Sequence, residues 1–214
     1  MEHSERSYIP AAGQHWMLPL YDTMVWMLGG DASRRKLIEQ AAIQGGHRVL
    51  DIGCGTGSLA VMLKKTHPGA EVVGLDPDPK VLSIARGKAE RSGVRIEFDQ
   101  GFSDHLAYAG ASFDRVFSSF MFHHLPHEER SATLAEIRRV LKTGGSLHLV
   151  DFVPARSGFA RAMGHLFHGG HHGIEDQVVP LMEKAGFADS AEVEYGSTLF
   201  GSIAYFRACR KAIN

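Results

Sequence analysis

The 214-residue sequence has little of what marks several large classes of protein. Its two cysteines, Cys54 and Cys209, are too few for a disulfide framework or a cysteine-bound metal cluster. No apolar run approaches the ~20 residues that a transmembrane helix needs. Lys and Arg number 23 against 24 Asp and Glu, so no positive surplus exists to hold a nucleic-acid backbone. Because the first residues also do not resemble a signal sequence, we expect a cytoplasmic globular protein with no nucleic-acid partner and no stable membrane insertion.

Strand-like and helix-like segments alternate along most of the chain. Apolar runs predict five strands, at 47–53, 70–76, 94–98, 113–121 and 146–152. Helical spacing of apolar residues fills most of the intervals, and one of these helices is predicted to stop at Gly144. Two further strand-like segments near the end predict an antiparallel hairpin. The alternation is typical of an α/β protein whose mostly parallel sheet is covered by helices on both faces, with ligands bound where the strands end.

The loop after the first strand is rich in glycine. In DIGCGTG, residues 51–57, Gly53, Gly55 and Gly57 permit a tight turn and let a ligand approach the backbone closely. The helix that follows directs its positive end at the same place. A dinucleotide site would carry G-x-G-x-x-G, but the late glycine is replaced by Ser58, which disfavours a nicotinamide cofactor.

The next two loops supply an acid and an aromatic ring. Asp76 ends the second strand, where a carboxylate can accept hydrogen bonds from both hydroxyls of a ribose. The alternative is that Asp76 caps the following helix, although Asp78 is also placed to do so. Phe102 and Ser103 follow the third strand and are placed to flank an adenine ring, while Phe102 could equally anchor the loop in the core.

Two adjacent histidines follow the fourth strand. His123 and His124 could bind a metal, but sequence neighbours rarely converge on one ion without a third ligand. We therefore expect no metal here. One histidine of the pair is expected to pack or form a structural hydrogen bond, and the other to belong to the active site.

These segments together resemble the class I S-adenosylmethionine-dependent methyltransferases, over roughly residues 40–210. The segments that carry the resemblance are VLDIGCGTG (49–57), GLDPDP (74–79), FDRVFSSFMFHHL (113–125), LKTGGSLHLVDF (141–152) and EKAGF (183–187). The sequence is most similar to the small-molecule branch that includes quinone-biosynthesis methyltransferases.

The resemblance implies a Rossmann-like α/β fold and a cofactor, S-adenosylmethionine. The sheet is expected to have seven strands in the order 3-2-1-4-5-7-6, with strand 7 antiparallel. Residues 41–214 would form the cofactor-binding domain, with a substrate-side insertion at about 154–176, and residues 1–40 a helical cap or lid. The expected cofactor contacts are Asp51, Gly53, Gly55, Thr56, Gly57, Asp76, Pro77, Gly101, Phe102, Ser103, Ser118, Ser119 and Tyr21. Asp104 is an alternative reader of the adenine amino group.

His123 is the candidate residue to face the methyl acceptor. The methyl group of the cofactor lies on a positive sulfur, so the leaving group is a neutral thioether that needs no acid. A base is required only for an acceptor that must lose a proton, such as an O–H or an activated C–H. Histidine is a suitable base near neutrality. The alternative is that His123 only shapes the pocket. His124 is expected to be structural.

The acceptor pocket is expected to come from two flanking segments. Residues 14–28 are rich in Trp and Met, which suggests a small apolar or aromatic acceptor, quinone-like or lipid-like. Residues 158–176 carry His165, His168, His171 and His172, for which a pocket loop is favoured over a metal site.

The leading hypothesis is an active methyltransferase for a small molecule. Two other hypotheses remain. One is a protein that binds S-adenosylmethionine but catalyses no reaction, and the other is a nicotinamide dehydrogenase. A homodimer is possible.

Overall fold

The computed structural model describes residues 30–154, 156, 178–198 and 201–211. In chain order its elements are α1 (Gly30–Glu39), β1 (Arg48–Ile52), α2 (Ser58–Thr66), β2 (Glu71–Asp76), α3 (Pro79–Arg91), β3 (Glu97–Gln100), β4 (Phe113–Ser119), a 3₁₀ turn (Phe122–His124), α4 (His127–Val140), β5 (Leu141–Val153), α5 (Val178–Lys184), β6 (Ala188–Thr198) and β7 (Gly201–Cys209).

The strands form one seven-stranded sheet in the order β3-β2-β1-β4-β5-β7-β6. Strands β1 to β5 run parallel, whereas β7 pairs antiparallel with both β5 and β6. The predicted order and the antiparallel strand 7 are confirmed. Because the parallel strands share one direction, the loops that follow β1, β2, β3 and β4 meet along one edge of the sheet.

Each face of the sheet is covered by helices that bury an apolar stripe. Leu134 of α4 and Leu181 of α5 belong to the core on one face. Leu37, Leu59 and Leu82, from α1, α2 and α3, belong to the core on the other. Helix α1 therefore packs directly on the core of the sheet, while residues 1–29 of the predicted cap lie outside the described residues. Among the described helices, none combines the length and apolar character needed to cross a bilayer.

The helix before β5 ends earlier than predicted. The expected stop was Gly144, but α4 ends at Val140 and β5 begins at the next residue. Tertiary hydrogen bonds end the helix, because the amide of Ala111 donates to the carbonyl of Arg139 at 3.0 Å. The amide of Ser112 donates to the carbonyl of Val140 at 2.7 Å. Gly144, at φ 80°, lies in the stretch of β5 whose pairing with β4 is irregular.

Candidate active site

A cavity of 510 Å³ opens at the edge where the parallel strands end. Its wall consists of the glycine-rich loop after β1, the end of β2, residues 101–104 after β3, and residues 119–121 and 124–126 at and beyond the end of β4. Arg34 of α1, Ser58 and Leu59 of α2, Val81 of α3 and Glu129 of α4 complete the lining. The volume lies within the range of ~300–1,000 Å³ that is usual for small-molecule sites.

The glycine-rich loop is folded tightly over the neighbouring strand. The amides of Gly53 and Cys54 both donate to the carbonyl of Leu75, at 2.8 and 3.0 Å. Gly53 has a φ of 66°, and a Cβ there would lie 2.2 Å from Cγ of Met121. Gly55 has a φ of 52° and lines the cavity, and a Cβ there would point into open space. The first glycine thus serves packing, and the second keeps the ligand space clear.

Asp76 joins the glycine-rich loop to the end of β2. One carboxylate oxygen accepts from the amide of Gly55 at 2.9 Å and the other from the amide of Asp78 at 3.0 Å. Burial raises the pKa of Asp76, while these two amides oppose the rise. Asp78 takes the helix-capping role, since its own carboxylate accepts from the amide of Lys80 at 2.8 Å. The remaining lone pairs of the Asp76 carboxylate can therefore accept hydrogen bonds from a ligand in the cavity.

Asp51 and Arg34 leave buried polar atoms unsatisfied beside this loop. Asp51 is fully buried, and within the described residues neither of its oxygens has a hydrogen-bond partner of ordinary length. Burial raises its pKa to about 7, against the opposing effects of Arg34 and the amide of Ala60 and with a smaller contribution from Asp76. Nε of Arg34 is also buried and lacks a partner in the same part of the chain. Buried polar groups normally have partners, so a ligand with both charges is expected here.

These residues fit S-adenosylmethionine. Its amino-acid part carries an ammonium and a carboxylate, whose charges are opposite to those of Asp51 and of Arg34, which also contacts Asp31 through Nη1 at 3.2 Å. Its ribose needs an acceptor of two hydroxyl hydrogens, which is the chemistry of Asp76. Phe102, Leu125 and Pro126 line the part of the cavity formed by the loops after β3 and β4 and offer apolar contacts for a flat base.

The chain turns sharply at the end of β4. Phe120 has a φ of 55°, a conformation that costs a non-glycine residue ~1–2 kcal/mol, and its amide donates to the carbonyl of Val150 at 2.9 Å. The turn places Phe120 and Met121 in the cavity wall. It also brings Phe120 within 5.1 Å, between ring centroids, of Phe152 from β5.

The two histidines have different surroundings. His124 lines the cavity, which the prediction of a structural role did not foresee. His123 is not in the lining; its Nδ1 lies 2.5 Å from Oδ1 of Asp151, at the end of β5. The ring centroids of the two histidines lie 3.9 Å apart, with the ring planes tilted by 38°. His123 therefore stands directly behind the cavity wall.

Most of the predicted cofactor contacts meet at the cavity. Those in its lining are Gly53, Gly55, Thr56, Asp76, Pro77, Gly101, Phe102, Ser103 and Ser119. Asp51, Gly57 and Ser118 lie behind the wall, and Asp51 and Ser118 are fully buried. Tyr21 and the histidines at 165–172 lie outside the described residues. Within the described residues, no group of three His, Cys, Asp or Glu side chains has the arrangement to hold a metal ion.

Sequence reasoning missed Arg34, Met121 and Asp151. Arg34 belongs to no motif, and its only signal was a basic residue on a helix directly before the first strand. Met121 was read as part of the fourth strand, so its contact with Gly53 was not foreseen. Asp151 was visible as the acid that ends a buried strand, the same signal that identified Asp76.

The fold is that of a Rossmann-like methyltransferase. A family model described as a methyltransferase domain matches residues 49–145. A demethylmenaquinone methyltransferase of Thermotoga maritima is 30% identical over 184 residues, which cover 74% of this chain and 78% of that protein. The chain therefore belongs to the S-adenosylmethionine-dependent methyltransferases, as the sequence motifs predicted.

Other relatives carry the same name. The demethylmenaquinone methyltransferase of Thermus thermophilus is 38% identical over 143 residues, covering 65% of this chain and 64% of that protein. The one from Deinococcus radiodurans is 39% identical over 152 residues, covering 70% of this chain and 62% of that protein. The chain thus spans somewhat less than two thirds of the length of these two relatives.

Solved structures match the fold at low sequence identity. The YcgJ protein of Bacillus subtilis has a TM-score of 0.70 and 18% identity, with 86% of this chain and all (100%) of that chain covered. SpnF, described as a [4+2]-cyclase, has a TM-score of 0.72 and 19% identity, with 86% and 82% covered. The second shows that this fold also occurs in a protein named for another reaction.

Proposed function

We propose that the protein transfers a methyl group from S-adenosylmethionine to a small apolar or aromatic acceptor, quinone-like or lipid-like. The observation that carries the proposal is that Arg34 and Asp76 line one cavity, with the unsatisfied carboxylate of Asp51 buried behind its wall. When bound, the cofactor supplies a methyl group on a positive sulfur and leaves as a neutral thioether. The protein holds the acceptor in line with that methyl group and excludes water.

The acceptor class is inferred from the surface beside the cavity. Phe120 and Met121 are apolar and stand in the wall, and Phe152 extends the aromatic surface from β5. A flat ring system packs well against such side chains, because aromatic rings favour offset and edge-to-face contacts. The names of several relatives, as demethylmenaquinone methyltransferases, support a quinone-like acceptor.

Methyl transfer can be tested with a reduced naphthoquinone. The purified chain, S-adenosylmethionine and 1,4-naphthohydroquinone are incubated, and the products are followed by mass spectrometry for an added CH₂ and for S-adenosylhomocysteine. Phosphoethanolamine serves as a polar acceptor of another class. We expect methylated naphthohydroquinone and no methylated phosphoethanolamine. Binding of S-adenosylhomocysteine without methylation of any acceptor from a wider phenol and quinol panel would favour the non-catalytic binding protein.

The cofactor site has a matched pair of variants two residues apart. Asp76→Asn removes the charge that accepts the ribose hydroxyls, and we expect S-adenosylhomocysteine affinity to fall about 10- to 100-fold. Asp78→Asn makes the same chemical change at the helix cap, where asparagine serves as well as aspartate. Affinity should be unchanged in that variant, as measured by titration calorimetry. Equal losses in both variants would place the ribose elsewhere.

A further inference from the structure

Lys88 of α3 reaches across to the glycine-rich loop after β1. Its Nζ donates to Oγ1 of Thr56 at 3.1 Å and to Oγ of Ser58 at 2.8 Å. The close approach requires Gly57, because a Cβ there would lie 2.9 Å from Cβ of Ala85, one turn before Lys88 on α3. A side chain distant in the sequence therefore holds both hydroxyl oxygens.

The two contacts with Lys88 assign the roles of donor and acceptor. An ammonium group can only donate, so the oxygens of Thr56 and Ser58 must both accept. A hydroxyl group has one hydrogen, which can then be donated only to an acceptor other than Lys88. The positive charge of the ammonium also polarises both O–H groups and makes them stronger donors, above all towards an anion.

Both hydroxyl-bearing residues belong to the wall of the cavity. Thr56 and Ser58 line it at the start of α2, and Arg34 of α1 lines the same cavity. Thr56 is 5% exposed, so its hydroxyl group is almost completely shielded from solvent. Two elements, α1 and the start of α2, therefore bring hydrogen-bond donors to one ligand space.

An anion suits the start of α2 better than a neutral group does. The first turn of this helix contains no acid, and Gly57 provides no side-chain cap for the positive helix end. In S-adenosylmethionine the only anion is the carboxylate of the amino-acid part. The ribose hydroxyls have Asp76 as their expected acceptor. The carboxylate is therefore the group that we expect beside Thr56 and Ser58.

We propose that Lys88 is a positioning residue for the carboxylate of S-adenosylmethionine. It holds the oxygens of Thr56 and Ser58 as acceptors, so that their hydrogens are donated to the carboxylate in the cavity. Among the described residues that line the cavity, Lys88 is absent, and it acts through the two hydroxyl groups. The inference rests on the cofactor part of the proposed function and is independent of the methyl acceptor.

Two ligands that differ in the amino-acid part test the role of Lys88. Lys88→Met keeps the aliphatic stem and removes the ammonium group. We expect its affinity for S-adenosylhomocysteine, which carries the carboxylate, to fall about 5- to 20-fold. Its affinity for 5′-methylthioadenosine, which lacks the amino-acid part, should stay within about two-fold of the wild type. Titration calorimetry measures both affinities. Equal losses for the two ligands, or no loss for either, would overturn the proposal.

A control and a double-mutant cycle separate positioning from attraction at a distance. Lys80→Met makes the same chemical change at an exposed position of α3, and both affinities should stay within about two-fold of the wild type. The double variant Thr56→Val, Ser58→Ala removes the two hydroxyl groups. In that background Lys88→Met should cause no further loss of S-adenosylhomocysteine affinity. A further loss as large as that in the wild type would assign the effect to the charge of Lys88 alone and refute the positioning role.

The hydroxyl variant also tests the proposal by itself, even where Lys88→Met does not fold. Thr56→Val, Ser58→Ala should weaken the binding of S-adenosylhomocysteine more than that of 5′-methylthioadenosine. Equal weakening would place the hydroxyl groups at the adenosine part of the ligand and contradict the proposal. A wild type that shows these binding preferences but methylates no acceptor would defeat the proposed methyl transfer instead, and the role of Lys88 would remain supported.

Discussion

Ionisation of Asp51 is unfavourable, because its carboxylate lies in the interior and neither oxygen has a hydrogen-bond partner of ordinary length among the described residues. Burial raises its pKa to about 7. A positive ligand group placed beside it would favour the ionised form. At this single residue, ligand binding and proton release are therefore coupled.

We expect S-adenosylhomocysteine to release a proton from Asp51 when it binds near pH 6.5. At that pH Asp51 is largely protonated in the free protein, and the ligand's α-amino group is already charged. Affinity should therefore increase as the pH rises towards about 7. Calorimetry in two buffers that differ in ionisation enthalpy measures the proton count directly.

The matching variants are Asp51→Asn and Asp189→Asn. The first removes the titrating group, so it should bind more weakly and release no proton. The second changes an exposed carboxylate that pairs with Lys211, and it should behave as the wild type does. Proton release that persists in Asp51→Asn would assign the coupling to another group.

In the glycine-rich loop, Gly53 and Gly55 are required for different reasons. Gly53 needs both its positive φ and its missing side chain, because Met121 occupies the space of a Cβ. Gly55 needs a positive φ, but a Cβ there would meet only open space at the cavity. Gly53 is thus required for the stability of the fold, and Gly55 for the space that the ligand occupies.

We expect Gly53→Ala to lower stability more than Gly55→Ala does. Both carry the left-handed backbone cost of ~1–2 kcal/mol, and only the first adds a clash. Gly55→Ala should instead lose affinity for S-adenosylhomocysteine, because its methyl group enters the ligand space. Urea unfolding and ligand titration on the same two proteins separate these effects. Equal losses of stability with equal affinities would contradict this division.

At the scale of the whole molecule, two buried groups give opposite dependences of stability on pH. The pKa of His148 is lowered to about 3 by burial and by the nearby charges of Arg207 and Arg115. The unfolded chain takes up this proton near pH 6.5, so the stability that neutral His148 provides is lost as the pH falls below 6.5. Asp51 acts in reverse, since its raised pKa makes the fold less stable as the pH rises from about 4 to 7.

Between pH 5 and 7 each group changes the free energy of unfolding by about 2 kcal/mol, with opposite signs. In the wild type without ligand, we therefore expect these two groups together to change the free energy of unfolding little between pH 5 and pH 7. His148→Phe, which keeps the stacking on Phe117, should become less stable as the pH rises, and Asp51→Asn more stable. Urea unfolding at pH 5 and pH 7 checks both slopes. If the free energy of unfolding changed with pH in the same direction in both variants, the proposed opposite effects of His148 and Asp51 would be refuted.

The sequence by itself determined the class of fold and the place of the site. Alternating apolar segments specify a parallel sheet because each strand must be buried on both faces by helices. An acid or a glycine run at the end of a strand then marks the ligand edge, which is how Asp76 and Gly55 were identified. These signals are local, since a residue's neighbours in the chain are enough to read them.

Tertiary structure decided what depends on residues far apart in the chain. Only folding brings Arg34 to the glycine-rich loop, Met121 against Gly53, and Asp151 to His123. The end of α4 was decided in the same way, by amides from a preceding loop and not by a glycine stop. Such contacts depend on strand order and side-chain packing, which leave no periodic trace in the sequence. The physical reason is that the burial and the hydrogen-bond partners of a residue are set by contacts in the folded sheet. The hydrophobic pattern and the secondary-structure propensity are set by neighbouring residues in the chain.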